Sequence, residues 1–288
     1  MTNKEMHECI SRGKNRPESD QNPHWVDQQT RLFWDKLVKF SKDRTLLEND
    51  FNEKMKNHFH ECFWELYLPK AFDAFGITLH RGCGKSAKPD FYFEKNGLKV
   101  WVEAVACGEP EEQNRIPSPT NDFSGGIAPE DKIMQRLANA ISEKIKKPYA
   151  TTHEPFIIAL NGHRALNGYP HDLIPLNPSF VVRTLFGMGS QFLTQSGGKY
   201  FKYTEKTQHG APIAHFSNPE NKNIAGVLYS ASHIGQTALP LGHDFAFIQN
   251  PYAPDIRNFF NFCKKGIWIR EDLRNGNWAL RLKQENPQ

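Results

Sequence analysis

Two aromatic and β-branched runs, Phe91-Tyr92-Phe93 and Lys99-Val100-Trp101-Val102-Glu103-Ala104-Val105, stand on either side of Lys95-Asn96-Gly97. An Asn-Gly pair between such runs predicts a β-hairpin, and the two-residue period of a strand then assigns every side chain to a face. Asp90 and Tyr92 share one face of the first strand. In the second, Lys99, Trp101, Glu103 and Val105 share a face, while Val100, Val102 and Ala104 point the other way. Apart from Glu94 at the turn, Asp90 and Glu103 are the only acids in the pair of strands. A carboxylate among Trp101, Val102 and Val105 is costly to desolvate unless a cation or a donor meets it. Two of them on neighbouring strands make a seat for a hard divalent cation.

The rest of the chain has room to build around this hairpin. With 288 residues, 38% hydrophobic and 24% charged, it suits one large domain with a substantial core, and 21 Phe and 6 Trp are generous for that size. A net charge of +4 permits a polyanionic partner without demanding one. The five cysteines (Cys9, Cys62, Cys83, Cys107, Cys263) are odd in number and form no CxxC pair, so reduced thiols in a cytoplasmic protein are expected rather than a disulfide framework. No apolar run approaches the ~20 residues that span a bilayer, and the N-terminus lacks the apolar segment of a signal peptide. No membrane partner is therefore expected.

Residues 1–24 are polar and read as a mobile tail. From Asp27 to Lys42, Phe33, Leu37 and Phe40 recur at helical spacing, widened by Trp34 and Val38. A second helical pattern begins near Leu47 and runs through Asn57 into Glu61-Cys62-Phe63-Trp64-Glu65-Leu66-Tyr67-Leu68, where it is apolar around most of its circumference and so expected to be buried. Glu61 and Glu65, four residues apart, fall on one face of it. They either line a solvent seam or supply a further acid to the hairpin's site. Pro69 should bend or restart the helix. Ile77 to His80 is a short strand, followed by the basic loop Arg81-Gly82-Cys83-Gly84-Lys85-Ser86-Ala87-Lys88. This loop lacks the GxxxxGK[ST] spacing of a phosphate loop. Its three cations could position a nucleic-acid backbone or simply be solvated.

After Glu103 comes a proline- and glycine-rich stretch from Cys107 to Pro129, long enough to cover a site. A helix from Glu130 to Lys147 has Ile133, Met134, Leu137, Ala140, Ile141 and Ile145 on its apolar face. At ~100° per residue Lys144 falls inside that arc, with Arg136 at its margin. A lysine turned toward a core needs a carboxylate, phosphate or water, or must snorkel outward. Strands are expected at Phe156–Leu160, Ile224–Ser230 and Asp244–Gln249. Phe180–Gly187 reads as helix or strand, and Phe259, Phe260 and Phe262 with Ile267-Trp268-Ile269 read as core or a small C-terminal subdomain. The histidines show no zinc-ligand spacing, and no GxSxG serine motif is present.

Pro89-Asp90, a strand-sized gap, and Glu103 at the end of an apolar strand resemble the core motif of the PD-(D/E)XK nuclease superfamily. The flanks are similar as well: the Glu61–Leu68 helix closed by Gly76 precedes the motif, and the helix Arg136–Lys144 and the strand Phe156–Leu160 follow it. The resemblance covers roughly residues 55 to 162, with weaker echoes at Gly226–Ser230 and Asn250–Ala253. It departs at one position, because Val105 stands where the motif has its lysine.

The resemblance implies an α/β (α+β) fold: a restriction-endonuclease-like core with a central mixed sheet flanked by helices, N-terminal helices, and a C-terminal extension (163–288), all in one domain from residue 25 onward. It implies a Mg²⁺- or Mn²⁺-dependent nuclease acting on nucleic acid, DNA first. Asp90 and Glu103 would be catalytic metal ligands, with the Ala104 carbonyl and Glu61 as further ligands. Glu65 would be a third catalytic acid, and Lys144, supplied from the helix, would replace the missing lysine. Lys99 shares the face of Glu103 but lies four residues, roughly 13 Å, along the strand. Arg81, Lys85, Lys88 and Arg136 would meet the nucleic-acid backbone. The absent lysine leaves an alternative open, a catalytically inactive module of the same fold that binds nucleic acid or a protein.

Overall fold

A computed structural model describes residues 28–48, 50–82, 88–108, 130–147, 154–166, 179–193, 199–207, 210–273 and 278–283. The expected tail, Lys85, Cys9, Cys83 and most of the stretch after Cys107 lie outside the described residues.

Three helices lead into the sheet: α1 (Gln28–Asp43), α2 (Phe51–Asn57) and α3 (Phe59–Ala74). The single long pattern read from the sequence is broken at His58, whose φ of −131° and ψ of 44° are not helical. Helix α3 buries Phe59, Cys62, Phe63, Trp64, Leu66, Tyr67, Leu68, Ala71 and Phe72, as its all-round apolar surface demands. Pro69 lies inside α3 without ending it. Packing on both sides outweighs the one backbone hydrogen bond that proline removes.

Next come β1 (His80–Arg81), β2 (Phe91–Lys95) and β3 (Leu98–Ala106) as an antiparallel meander. The turn between β2 and β3 has φ of 54° at Asn96 and 75° at Gly97, the two positive angles a type I′ hairpin needs. Register pairs Phe91 with Val102, Tyr92 with Trp101 and Phe93 with Val100. Helix α4 (Glu130–Ile145) then crosses over to β4 (Phe156–Asn161), which runs parallel to β3 with Glu103 opposite Ile158. Such a parallel pair requires a crossover of this kind.

Beyond β4 are α5 (Phe180–Phe186), a two-stranded ribbon of β5 (Met188–Leu193) and β6 (Lys199–Tyr203), and then β7 (Ile224–Ser230), β8 (Ala246–Gln249), β9 (Ile267–Asp272) and β10 (Trp278–Lys283). The ambiguous 180–187 segment is a helix, closed by Gly187 in the left-handed conformation at φ 68°. The large sheet is mixed and eight-stranded, ordered β1-β2-β3-β4-β7-β8-β9-β10. The C-terminal third therefore extends the same sheet and is not a separate subdomain. Phe260 stacks on Phe247 at 4.0 Å and meets Phe93 edge-on, joining it to the core beneath the hairpin.

The sheet separates two apolar layers, as alternation predicts. Val100, Val102, Phe91 and Phe93 pack with α1–α3 on one side, while Trp101, Val105, Ile133, Leu137 and Ile141 pack beneath α4 on the other. Trp64 ties α3 to the sheet, its indole N–H donating to the Ala159 carbonyl at 2.8 Å. Among the described residues no helix is long and apolar enough to cross a membrane. Cys62, Cys107 and Cys263 are buried and in no disulfide.

Candidate active site

The hydrogen bonds of β3 alternate between its two neighbours, and one of them is left over. Trp101 N–H donates to Pro155 at 2.8 Å and Cys107 N–H to Asn161 at 2.9 Å, so the odd-numbered amides face β4 and the even-numbered ones face β2. Strand β2 begins only at Phe91, opposite Val102, which leaves Ala104 N–H with no strand partner. The Asp90 carboxylate fills that position, its Oδ2 accepting from Ala104 N–H at 2.9 Å. An extended residue points its N–H and C=O to the same edge, so the Ala104 carbonyl emerges on the Asp90 side, where a ligand role was expected of it.

Asp90 and Glu103 follow one step past the Phe91–Val102 pair, on adjoining strands. Glu103 is only 4% exposed. Lys144 reaches down from α4 and donates to Glu103 Oε1 at 2.7 Å. The ammonium expected from the helical arc thus meets the carboxylate expected from the strand. Burial opposes its charge, but Glu103 and then Asp90 outweigh burial and raise the Lys144 pKa. Val105 stays in the apolar layer under α4, as its side chain requires.

Asp90, Ala104 and Lys144 open onto a cleft of about 490 Å³ between α3, α4 and the end of β3, lined in part by Glu65 and Arg136 as well, with Glu103 buried behind Lys144. The electrostatics are lopsided at Asp90. Burial, then the nearby Glu103 and Glu65 carboxylates, push its carboxyl up to about 7 against the pull of Arg81 and Ala104 N–H. Asp90 is thus a desolvated carboxyl beside two carboxylates that each have a cation of their own.

The remaining expected residues divide. Glu65 is in the cleft, but its carboxylate is held by Lys54 at 2.6 Å and approached by Arg81 at 3.7 Å. Glu61 sits at the rim, well exposed and paired with His58 at 3.4 Å. Arg81 faces inward, bonded to Glu48 as well as to Glu65, with its guanidinium over the Phe91 ring. Its cationic end pairs with exposed Glu48 and half-buried Glu65 instead of lying free on a basic loop. Lys88 is exposed just before Asp90. Arg136 lines the cleft wall, donates to the Ala165 carbonyl at 3.1 Å, and has its pKa lowered by burial.

Among the described cleft residues, Lys54, Asn139 and Glu143 were not expected from the sequence, and Lys54 is the one that pairs with a predicted acid. Burial works against its charge, yet Glu65 and Glu48 hold its pKa above the ordinary value. No periodicity joins it to the site, because it arrives on α2 from beyond the break at His58.

A divalent cation fits the donors present in type and charge. They are all oxygens, and Mg²⁺ is commonly held by one or two carboxylates while keeping several waters. Lys144 engages only one oxygen of Glu103, and Ala104 N–H only one of Asp90. Among the described residues no group of three or more His, Cys, Asp or Glu side chains could hold a metal ion, so main-chain oxygen and solvent would have to complete any coordination by Asp90 and Glu103. Comparison with known proteins returns nothing: no family model, no curated protein and no solved structure matches the chain.

The raised Asp90 pKa has a measurable consequence for stability. Its folded value of about 7 exceeds the ordinary 3.8, so the folded state holds a proton that the unfolded state releases. That stabilisation is complete below pH ~4 and is lost as pH rises through ~7. Asp90→Asn does not titrate and keeps an oxygen for Ala104 N–H. Its advantage in denaturant unfolding over the parent chain should therefore grow between pH 5 and pH 8, by on the order of 3 kcal/mol. A constant difference across that range would show that Asp90 is ionised normally.

Proposed function

We propose that the protein is a metal-dependent phosphodiesterase that hydrolyses nucleic acid, DNA in the first instance, with a site of PD-(D/E)XK type whose lysine comes from a helix. The observation that carries this reading is the 2.7 Å bond to buried Glu103 from Lys144, which lines one cleft together with Asp90. A helix, an antiparallel three-strand meander, a crossover helix and a parallel strand follow one another in the order the resemblance leads one to expect. That agreement supports the reading alongside the site.

Asp90, Glu103 and the Ala104 carbonyl would hold Mg²⁺ or Mn²⁺. When bound, the ion would polarise a phosphoryl oxygen and acidify an attacking water. The residues do the rest. Lys144, kept protonated by its carboxylate neighbours, offers an N–H and a positive charge to the phosphate as negative charge grows on its oxygens. Glu65, bound to Lys54, fixes the far wall and adds to the potential that attracts the cation. Arg136, on the cleft wall, and Lys88, exposed two residues before Asp90, would meet an entering phosphodiester backbone. Phosphate contacts of this kind position a strand without reading its sequence.

The test combines melting curves with cleavage assays. In Mn²⁺ the melting temperature should rise by roughly 5 °C or more once the ion is in hundredfold excess over its Kd, equivalent to about 2.7 kcal/mol. Asp90→Asn should lose that increment, and the parent chain should cut labelled DNA only when metal is present. An inactive binding module of similar fold predicts neither effect. No metal-dependent stabilisation together with no cleavage of single- or double-stranded DNA or RNA would remove the enzymatic reading.

A further inference from the structure

A row of side chains on the same sheet face as Glu103 is not used by the cleft. His80, Tyr92 and Trp101 are register partners across β1, β2 and β3. The His80 and Tyr92 rings stack with centroids 5.2 Å apart and planes at 26°, and Tyr92 leans on Trp101 at 5.3 Å. Lys99 lays its ammonium 4.1 Å from the Tyr92 ring centre and 4.3 Å from that of Trp101, and makes no ion pair among the described residues. Trp101 has an evident structural role, since it is buried under α4 and its indole N–H donates to Glu154. His80 does not. It is exposed, and it extends the aromatic surface outward from half-buried Tyr92 and Lys99.

We infer that this row is a stacking platform for an unpaired base, and that the strand entering the cleft is single-stranded or locally melted. The inference rests on the phosphodiesterase reading and narrows its substrate class. Aromatic faces beside a cation bind bases of any sequence through their π surfaces, which a duplex keeps inside its own stack. Position supports the assignment. Trp101 precedes Glu103 by two residues, ~7 Å along the strand, which is about two stacked-base steps of ~3.4 Å. Tyr92 likewise follows Asp90 by two residues, and a base resting on the outer face of His80, whose ring Tyr92 backs at 5.2 Å, therefore belongs to a nucleotide within a few steps of the phosphate held between Asp90, Glu103 and Lys144. Lys88, exposed at the start of the same hairpin, adds positive charge for the backbone.

The experiment measures binding apart from cleavage. Fluorescence anisotropy with a labelled single-stranded oligonucleotide, and with the same strand annealed to its complement, is recorded in EDTA. The single strand should bind at least about tenfold more tightly. His80→Ala and Tyr92→Leu should each weaken single-strand binding by roughly 5- to 100-fold, the range of one lost base–aromatic stack, with little change for the duplex. Tyr92→Phe should bind like the parent chain. His80 is exposed, so His80→Ala should melt like the parent and guards against misfolding as the cause.

Equal affinity for single strand and duplex, or unchanged binding by both His80→Ala and Tyr92→Leu, overturns the platform. Failure of the enzymatic reading looks different. Single-strand binding that depends on His80 and Tyr92 without metal-dependent cleavage keeps the platform and removes the nuclease. Metal-dependent cleavage that both variants leave unaltered keeps the nuclease and removes the platform.

Discussion

Asp90→Asn and Glu103→Gln should each lower the proposed metal-dependent phosphodiester cleavage by about a thousandfold or more, a loss of ~4 kcal/mol in transition-state stabilisation. Both substitutions keep side-chain size and hydrogen-bonding capacity but remove the charge that would seat the cation. Asn can still accept from Ala104 N–H, as Asp90 does at 2.9 Å, so the β2–β3 edge should keep its shape. Glu103→Gln leaves Lys144 without its carboxylate, but at 23% exposure the lysine side chain can turn its ammonium toward the water of the cleft. Neither variant should therefore unfold. Activity assays paired with melting curves separate lost chemistry from lost structure, and parent-like cleavage by either variant would reject the metal-site assignment.

Lys144→Met has the second large effect, and it acts on stability as well as activity. Deleting the ammonium strands Glu103, 4% exposed, in the apolar layer under α4. Breaking a buried pair from one side typically costs ~3 kcal/mol, because the remaining charge has lost its compensation. The cost is asymmetric, since the lysine has an aqueous escape and the glutamate has none. The double variant Glu103→Gln with Lys144→Met should accordingly recover most of the stability lost in Lys144→Met while remaining inactive. Denaturant unfolding of the four chains in the cycle gives the coupling energy directly. A coupling near zero would mean that the 2.7 Å contact carries no net interaction.

Much of this arrangement could be read from side-chain periodicity. The two-residue repeat of a strand placed Asp90 and Glu103 on adjoining segments, and Asn96-Gly97 fixed their register by demanding a turn that only a tight hairpin satisfies. The 3.6-residue repeat placed Lys144 inside the apolar arc of its helix, where it needed either a polar partner or a route out to solvent. What could not be read was the partnership of groups that meet across elements. Lys54 reaches Glu65 only because the chain breaks at His58 and folds α2 back beside α3. Arg81, expected on an open basic loop, instead serves Glu48 and Glu65. Nor does a short apolar run such as Ile267-Trp268-Ile269 announce which sheet it will join. Its pattern fits any edge with matching hydrophobic faces, and the choice of β8 as neighbour is made by packing.

By itself, then, the sequence determined which residues share a face, because local backbone geometry imposes the strand and helix periods regardless of surroundings. Only the tertiary structure decided which faces meet. It brought α4 across the end of β3 so that one ammonium meets the buried Glu103 and lines a cleft with Asp90, and it placed Glu65 where its charge acts on Asp90. The physical reason is that desolvation and ion pairing depend on distances between segments far apart in the chain. Those distances are fixed by burial of the whole core and by no single stretch of it.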